Sequence, residues 1–122
     1  MSKKIVITGG LGYIGTELCK IYSGESWKNK ITVIDNRFVS ERVNQLRNWS
    51  INFVNADIRD LSSVKQFLKE ADVIHHLAGI TDVARTKEES YPEKDKEMND
   101  VAEKGTSVVL SESSEICKII FP

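Results

Sequence analysis

The 122-residue chain reads as a three-layer α/β domain built on a doubly wound parallel sheet. Three observations predict this class: short β-branched runs alternate with amphipathic stretches, the first run is continuously apolar, and a glycine cluster follows it directly. Alternating strands and helices fold as βαβ units, which put helices on both faces of a parallel sheet. An unbroken Ile-Val-Ile run suits a central strand covered on both faces; a strand with one wet face would alternate. No internal repeat or low-complexity segment interrupts the pattern.

The first strand spans Lys4 to Thr8 and ends in glycine. After the glycines, Ile14, Leu18, Ile21 and Tyr22 recur at i, i+4, i+7 and i+8, which predicts a helix that buries this stripe. A polar break covers Ser23 to Lys30, and the second strand follows as Ile31 to Ile34, ending at Asp35. The third strand is Ile51 to Asn55, with Phe53 and Val54 as its bulk, and between the two Val39, Val43, Leu46 and Trp49 predict a short irregular helix. Asp60 suits the N-cap of the next helix, because a carboxylate there can accept the orphan N–H groups of the first turn. That helix carries Leu61, Val64, Phe67 and Leu68 on one face, and the fourth strand is Asp72 to Ala78. Thr81 to Pro92 is polar and reads as an exposed loop. Pro92 can open a long helix with Met98, Val101, Gly105, Val108 and Val109 at helical spacing. Ile116 to Phe121 reads as a fifth strand.

Composition narrows the function classes. Seventeen basic against 18 acidic side chains leave a formal charge of -1, so no global field favours nucleic acid or an anionic membrane. Cys19 and Cys117 form neither a disulfide framework nor a CxxC site, and a cytoplasmic setting is expected. Lys3 and Lys4 precede an apolar run as in a signal peptide, but Gly9, Gly10, Gly12 and Gly15 interrupt it and Glu17 closes it. No targeting segment is read, and no stretch reaches the ~20 apolar residues of a membrane span. The run Lys87 to Glu97 has mixed sign and suits a solvated face. His75 and His76 are adjacent on a strand, point to opposite faces and cannot share a metal, so no metal site is expected. Trp27 and Trp49 lack a basic surround and suit core edges rather than base stacking.

The chemistry-bearing segment is Thr8-Gly9-Gly10-Leu11-Gly12-Tyr13-Ile14-Gly15, which holds Gly10-x-Gly12-x-x-Gly15 and, in a second register, Gly9-x-x-Gly12-x-x-Gly15. At a strand-to-helix junction the free N–H groups and the positive dipole end of the helix can hold a pyrophosphate, and glycine lets it approach the backbone. A tight turn that only permits close strand–helix packing is the plainer alternative. Twenty residues after Gly15, Asp35 ends the second strand, where a carboxylate accepts ribose hydroxyls and repels a 2′-phosphate, favouring NAD over NADP. Arg37 nearby offers a 2′-phosphate a partner, and Asp35 with Asn36 could also serve as a turn former. A triphosphate loop does not fit, since Thr16 and Glu17 stand where its lysine and hydroxyl are needed.

With these residues the chain resembles the extended short-chain dehydrogenase/reductase family, specifically its NAD-dependent sugar-nucleotide epimerases and dehydratases. TGGLGYIG at Thr8 to Gly15 and VIDN at Val33 to Asn36 look like that family's cofactor signature. Asp57-Ile58 resembles its adenine-holding pair, and Asp72 to Gly79 its DVVFHLAA segment. The resemblance implies a Rossmann domain with strand order 3-2-1-4-5. It assigns cofactor binding to Gly9, Gly12, Tyr13, Ile14 and Gly15 at the pyrophosphate, Asp35 and Asn36 at the ribose, Asp57 and Ile58 at the adenine, and Leu77, Ala78 and Gly79 near the nicotinamide. Pro92 and Asn99 match the family's proline-to-asparagine spacing, but Gly105-Thr106 come three residues late, so a helix-surface asparagine is an equal reading.

The family's catalytic serine and YxxxK pair have no counterpart: four residues after Tyr13, Tyr22 and Tyr91 stand Glu17, Ser26 and Asp95. Ile119 to Pro122 resembles the strand just before that serine. Residues 1–122 are thus expected to be the cofactor-binding N-terminal part of a longer enzyme, inactive alone, with the catalytic and substrate-binding C-terminal region absent. The implied whole acts on a nucleotide sugar by hydride transfer from a sugar carbon to NAD, and the resemblance allows a homodimer. Two alternatives stay open: a non-catalytic NAD-binding or redox-sensing module, and a non-sugar reductase or hydroxysteroid-type dehydrogenase of the same extended family.

Overall fold

The computed structural model describes residues 3–24, 29–78 and 92–121, with main chain only for 92–99. Strand β1 (Lys4–Thr8) leads into helix α1 (Tyr13–Ser23), then β2 (Lys30–Asp35), α2 (Ser40–Asn48), β3 (Asn52–Asn55), α3 (Leu61–Glu70), β4 (Val73–His76), α4 (Pro92–Glu112) and β5 (Lys118–Ile120). All four strand pairs are parallel, in the order β3-β2-β1-β4-β5, as expected. The order reverses between β1 and β4, which opens a crevice at their C-terminal ends.

Strand periodicity sorts the core into two halves. Ile5, Ile7, Ile31 and Val33 join Cys19, Val43 and Leu46 on the α1/α2 face. Val6, Ile34 and Ile74 join Val64, Leu68, Val101 and Val109 on the α3/α4 face. Successive side chains of each strand thus bury in opposite directions, the doubly covered arrangement anticipated from the Ile-Val-Ile run. Trp49 packs at the edge of the first cluster; Trp27 lies outside the described residues.

Several local expectations are corrected. In α1, Ile14 and Ile21 are 65% and 72% exposed, while Gly15 and Cys19 are buried and Leu18 and Tyr22 pack against the core. The close approach decides this: a Cβ on Gly15 would stand 2.5 Å from the Gly10 Cα, so the helix meets the turn along its glycine side and turns Ile14 and Ile21 outward. Helix α2 is a regular nine-residue helix, not an irregular one. Asp60 occupies the N-cap of α3, yet its carboxylate takes the hydroxyls of Ser62 (2.9 Å) and Ser63 (2.7 Å), not a cap bond from the main chain. β4 and β5 are shorter at both ends than Asp72 to Ala78 and Ile116 to Phe121, and Ile116 is exposed in the turn before β5. The loop expected from Thr81 falls, up to residue 91, outside the described residues, as do Gly79 and the side chains of Met98 and Asn99. Among the described residues no helix is long and apolar enough to cross a membrane.

Candidate functional site

The C-terminal ends of β1, β2 and β4 carry the sequence-predicted site. After Thr8 the chain turns through Gly9 (φ 70°), whose N–H donates to the Ile34 carbonyl at 2.7 Å, and Gly12 donates back to the Gly9 carbonyl at 3.1 Å. Three glycines here are demanded by packing. A Cβ on Gly9 would meet the Ala78 Cα and N at 2.8 Å, one on Gly10 the Val33 Cγ1 at 2.5 Å, and one on Gly15 the Gly9 carbonyl oxygen at 2.7 Å.

Gly12 is different. Its φ of -74° and ψ of 178° suit any residue, and a Cβ there would meet only ordinary contacts, the Gly9 oxygen at 3.4 Å and Arg37 Nη2 at 3.6 Å. It is the N-cap of α1, no side chain caps that end, and no acidic residue sits in the first turn. The earliest α-helical bond is Thr16 N–H to the Gly12 carbonyl at 2.8 Å, so the N–H groups of Tyr13, Ile14 and Gly15 precede the hydrogen-bonded ladder. An uncapped helix start with free N–H groups is an anion-accepting arrangement. Tyr13 itself is 82% exposed, and Arg42 from α2 lies over its ring at 5.4 Å while donating to the Leu11 carbonyl.

Asp35 ends β2 as expected, but it is not an idle acceptor. Its side chain is 4% exposed; Oδ2 accepts the Leu11 N–H at 3.1 Å, and Oδ1 accepts the Arg37 main-chain N–H at 2.9 Å. The Arg37 guanidinium adds Nε to Oδ1 and Nη2 to Oδ2, both at 3.3 Å. The carboxylate thus ties the glycine turn to the end of β2, and Arg37, itself largely exposed, covers its remaining lone pairs. Asn36 is exposed and, after Arg59, contributes to holding the Asp57 carboxyl down.

Asp57 repeats the device. Arg59 donates its main-chain N–H and Nε to Oδ1, each at 2.9 Å, and Nη2 to Oδ2 at 2.6 Å, while its Nη1 reaches Asp100 of α4 at 2.8 Å. These guanidinium bonds foremost hold the Asp57 carboxyl below its ordinary range. The Ile58 side chain is only 5% exposed, seated where a Cβ on Gly105 would come within 2.7 Å of its Cγ2. Leu77 and Ala78 follow β4 and lie against Gly9. Sequence reasoning missed Arg42, Arg59, Asp100 and the self-pairing of both carboxylates. The repeated Asp-x-Arg at 35–37 and 57–59 was the available signal, since an Asx turn brings residue i+2 back to the side chain. No cluster of His, Cys, Asp or Glu able to hold a metal occurs among the described residues.

Residues 6–121 match the 3-beta hydroxysteroid dehydrogenase/isomerase family. The chain is 30% identical over 91 residues to the UDP-N-acetyl-alpha-D-glucosaminuronate decarboxylase of Bacillus cytotoxicus, covering 74% of this chain and 28% of that protein. To the UDP-glucose 4-epimerase of Mycoplasma genitalium it is 29% identical over 85 residues, 68% of this chain and 25% of that one. Among solved structures, a UDP-glucose-4-epimerase from Stenotrophomonas maltophila with bound NAD and formylated UDP-arabinopyranose superposes with a TM-score of 0.75 at 20% identity, over 98% of this chain and 36% of that one. The chain therefore spans about a quarter of the length of the curated relatives it matches.

Proposed function

The chain belongs to the 3-beta hydroxysteroid dehydrogenase/isomerase family, within the extended short-chain dehydrogenases/reductases, and from that premise we propose that it is the NAD-binding part of an enzyme acting on a nucleotide sugar. The Gly12 position carries this reading. It is glycine where neither backbone strain nor packing requires it, at a helix start that no side chain caps. A diphosphate supplies what that position lacks.

The main chain of Gly9, Gly12, Tyr13, Ile14 and Gly15 would hold the pyrophosphate. Asp35 and Asn36 would take the ribose, whose hydroxyls would replace the exposed Arg37 guanidinium on the Asp35 carboxylate, Asp57 with the main chain of Ile58 would take the adenine, and Leu77, Ala78 and Gly79 would line the nicotinamide side. Bound NAD would supply hydride acceptance from a sugar carbon; these residues bind and orient it. A UDP-linked sugar is supported by the names of the two curated relatives given above. No YxxxK pair occurs in this chain, so the acid/base step needs residues outside it.

Calorimetric titration with NAD and NADP tests the reading. Saturable binding with NAD several-fold tighter is expected, and Asp35→Ala should weaken NAD and narrow the gap; binding of neither, or tighter NADP, overturns it. The family's hydroxysteroid name favours a second reading, a non-sugar dehydrogenase. A turnover screen of the full enzyme with UDP-sugars and hydroxysteroids, read as NADH absorbance, separates the two.

A further inference from the structure

Thr8 closes β1 beside His76, its register partner on β4, and its hydroxyl meets three polar partners. Thr8 Oγ1 accepts the Ala78 N–H at 3.0 Å and the Leu77 N–H at 3.1 Å, the latter shared with its own carbonyl oxygen. A hydroxyl has one proton and two lone pairs. With both lone pairs facing amide donors, its proton is left for His76 Nδ1, 2.8 Å away. Nδ1 must then be bare, and the single proton of the neutral ring sits on Nε2, which faces Thr106 Oγ1 of α4 at 3.2 Å. His76 is buried, with the Phe121 ring edge-on at 5.7 Å.

We infer that His76 is a positioning residue. Its bare Nδ1 orients the Thr8 hydroxyl, which clamps the Leu77 and Ala78 amides, and so sets the segment that abuts the glycine turn. The mechanical link is short, because Gly9 has no room for a Cβ against Ala78 Cα, Ala78 N or the Leu77 carbonyl carbon, each 2.8 Å from where it would sit. A displaced 77–78 segment displaces the turn. The opposite tautomer would aim N–H at the Thr8 hydroxyl and make it give up an amide. Thr106, at the other ring nitrogen, couples this clamp to α4. The role goes beyond packing, and its effect on dinucleotide affinity rests on the cofactor reading above.

The test separates the two. Nitrogen-15 NMR of the histidine rings in the wild-type protein should show Nδ1 unprotonated and Nε2 protonated at neutral pH; a protonated Nδ1 overturns the inference whatever the protein binds. Amide exchange at Leu77 and Ala78 should quicken in His76→Leu and stay slow in His76→Asn, whose carbonyl oxygen can replace Nδ1 as acceptor. NAD affinity should fall roughly tenfold in His76→Leu, as expected for a lost buried hydrogen bond, and recover to within about threefold in His76→Asn. Equal exchange and equal affinity in both variants would sink the positioning role. Should His76→Leu not fold, Thr8→Val against Thr8→Ser makes the same comparison. If the wild type binds no dinucleotide, the cofactor reading fails while the tautomer and exchange results still decide this one.

Discussion

Replacing Gly12 by alanine separates a ligand's demand for glycine from the fold's demand for it. The backbone at Gly12 is extended and ordinary, and the new methyl would find its nearest neighbours at 3.4 and 3.6 Å, so nothing must move. Alanine is a worse N-cap than glycine by some tenths to about 1 kcal/mol, but it lowers the entropy of the unfolded chain by ~0.4–1 kcal/mol. The two nearly cancel, and the melting temperature should shift by less than about 5 °C. Gly15→Ala is the control. Its methyl would sit 2.5 Å from the Gly10 Cα and 2.7 Å from the Gly9 carbonyl oxygen, both main-chain atoms, so α1 must lift off the turn. Because the clash is with main-chain atoms that cannot turn aside, its cost falls at the upper end of the ~1–3 kcal/mol of overpacking, exceeds the ~1 kcal/mol helix-propensity gain, and melting should fall clearly. For binding the expectation reverses in weight: on the cofactor reading the Gly12 methyl would crowd the pyrophosphate, and NAD affinity should drop at least roughly tenfold, or ~1.4 kcal/mol, in a protein that is still folded. Thermal melting and isothermal titration on the two variants read both quantities. Wild-type NAD affinity in a folded Gly12→Ala protein would refute this turn as the pyrophosphate site, and an unshifted Gly15→Ala melt would refute the packing account.

Arg59→Leu should cost about 1 kcal/mol, the scale of a partly exposed ion-pair network, because it cuts both the Asp57 and the Asp100 links; the Asp57 carboxyl should rise toward its ordinary value in a carboxyl NMR titration, and an unmoved carboxyl would count against Arg59 as its main cause. Burial holds His75 and His76 below the ordinary 6.5, so the unfolded chain binds protons first as pH falls. Stability should therefore be flat from about pH 6.5 to about pH 8 and decline below pH 6.5 toward about pH 5, where the lowered Asp57, Asp60 and Glu70 remain ionised; urea midpoints that ignore pH across the acidic window would contradict the buried neutral rings. Burial pushes the Cys19 thiol up to about 12, whereas Cys117 is partly exposed, so iodoacetamide should label Cys117 first in the native protein, and mass spectrometry finding Cys19 modified first would argue that the α1 face opens.

How far the site was legible follows from the range over which each signal acts. The glycine turn, the carboxylate at the end of β2 and the element order were readable because strand and helix periods, and the backbone needs of a strand-to-helix turn, are written within a few consecutive residues. Which glycine answers to packing and which to a ligand was not readable. Gly9, Gly10 and Gly15 are constrained by Ala78, Val33 and each other, while a Cβ at Gly12 would meet only ordinary contacts, and only the folded chain supplies those distances. The orientation of α1 was misjudged for the same reason. Hydrophobicity nominated Ile14 and Ile21, but steric approach along Gly15 decided which side of the helix meets the sheet.

By itself, then, the order of residues determined a parallel α/β sheet with a glycine turn after its first strand, since those features follow from local period and connection length, while the 3-2-1-4-5 strand order came from the family resemblance. Tertiary structure alone decided how the polar groups are spent. Asp35 and Asp57 are each claimed by an arginine two residues on, Asp100 joins from a helix 43 residues away in sequence from Asp57, and Thr8, His76 and Thr106 meet across three elements. Hydrogen-bond partnership depends on distances of about 3 Å and on how many donors converge on one acceptor, quantities that exist only once distant segments have been packed together.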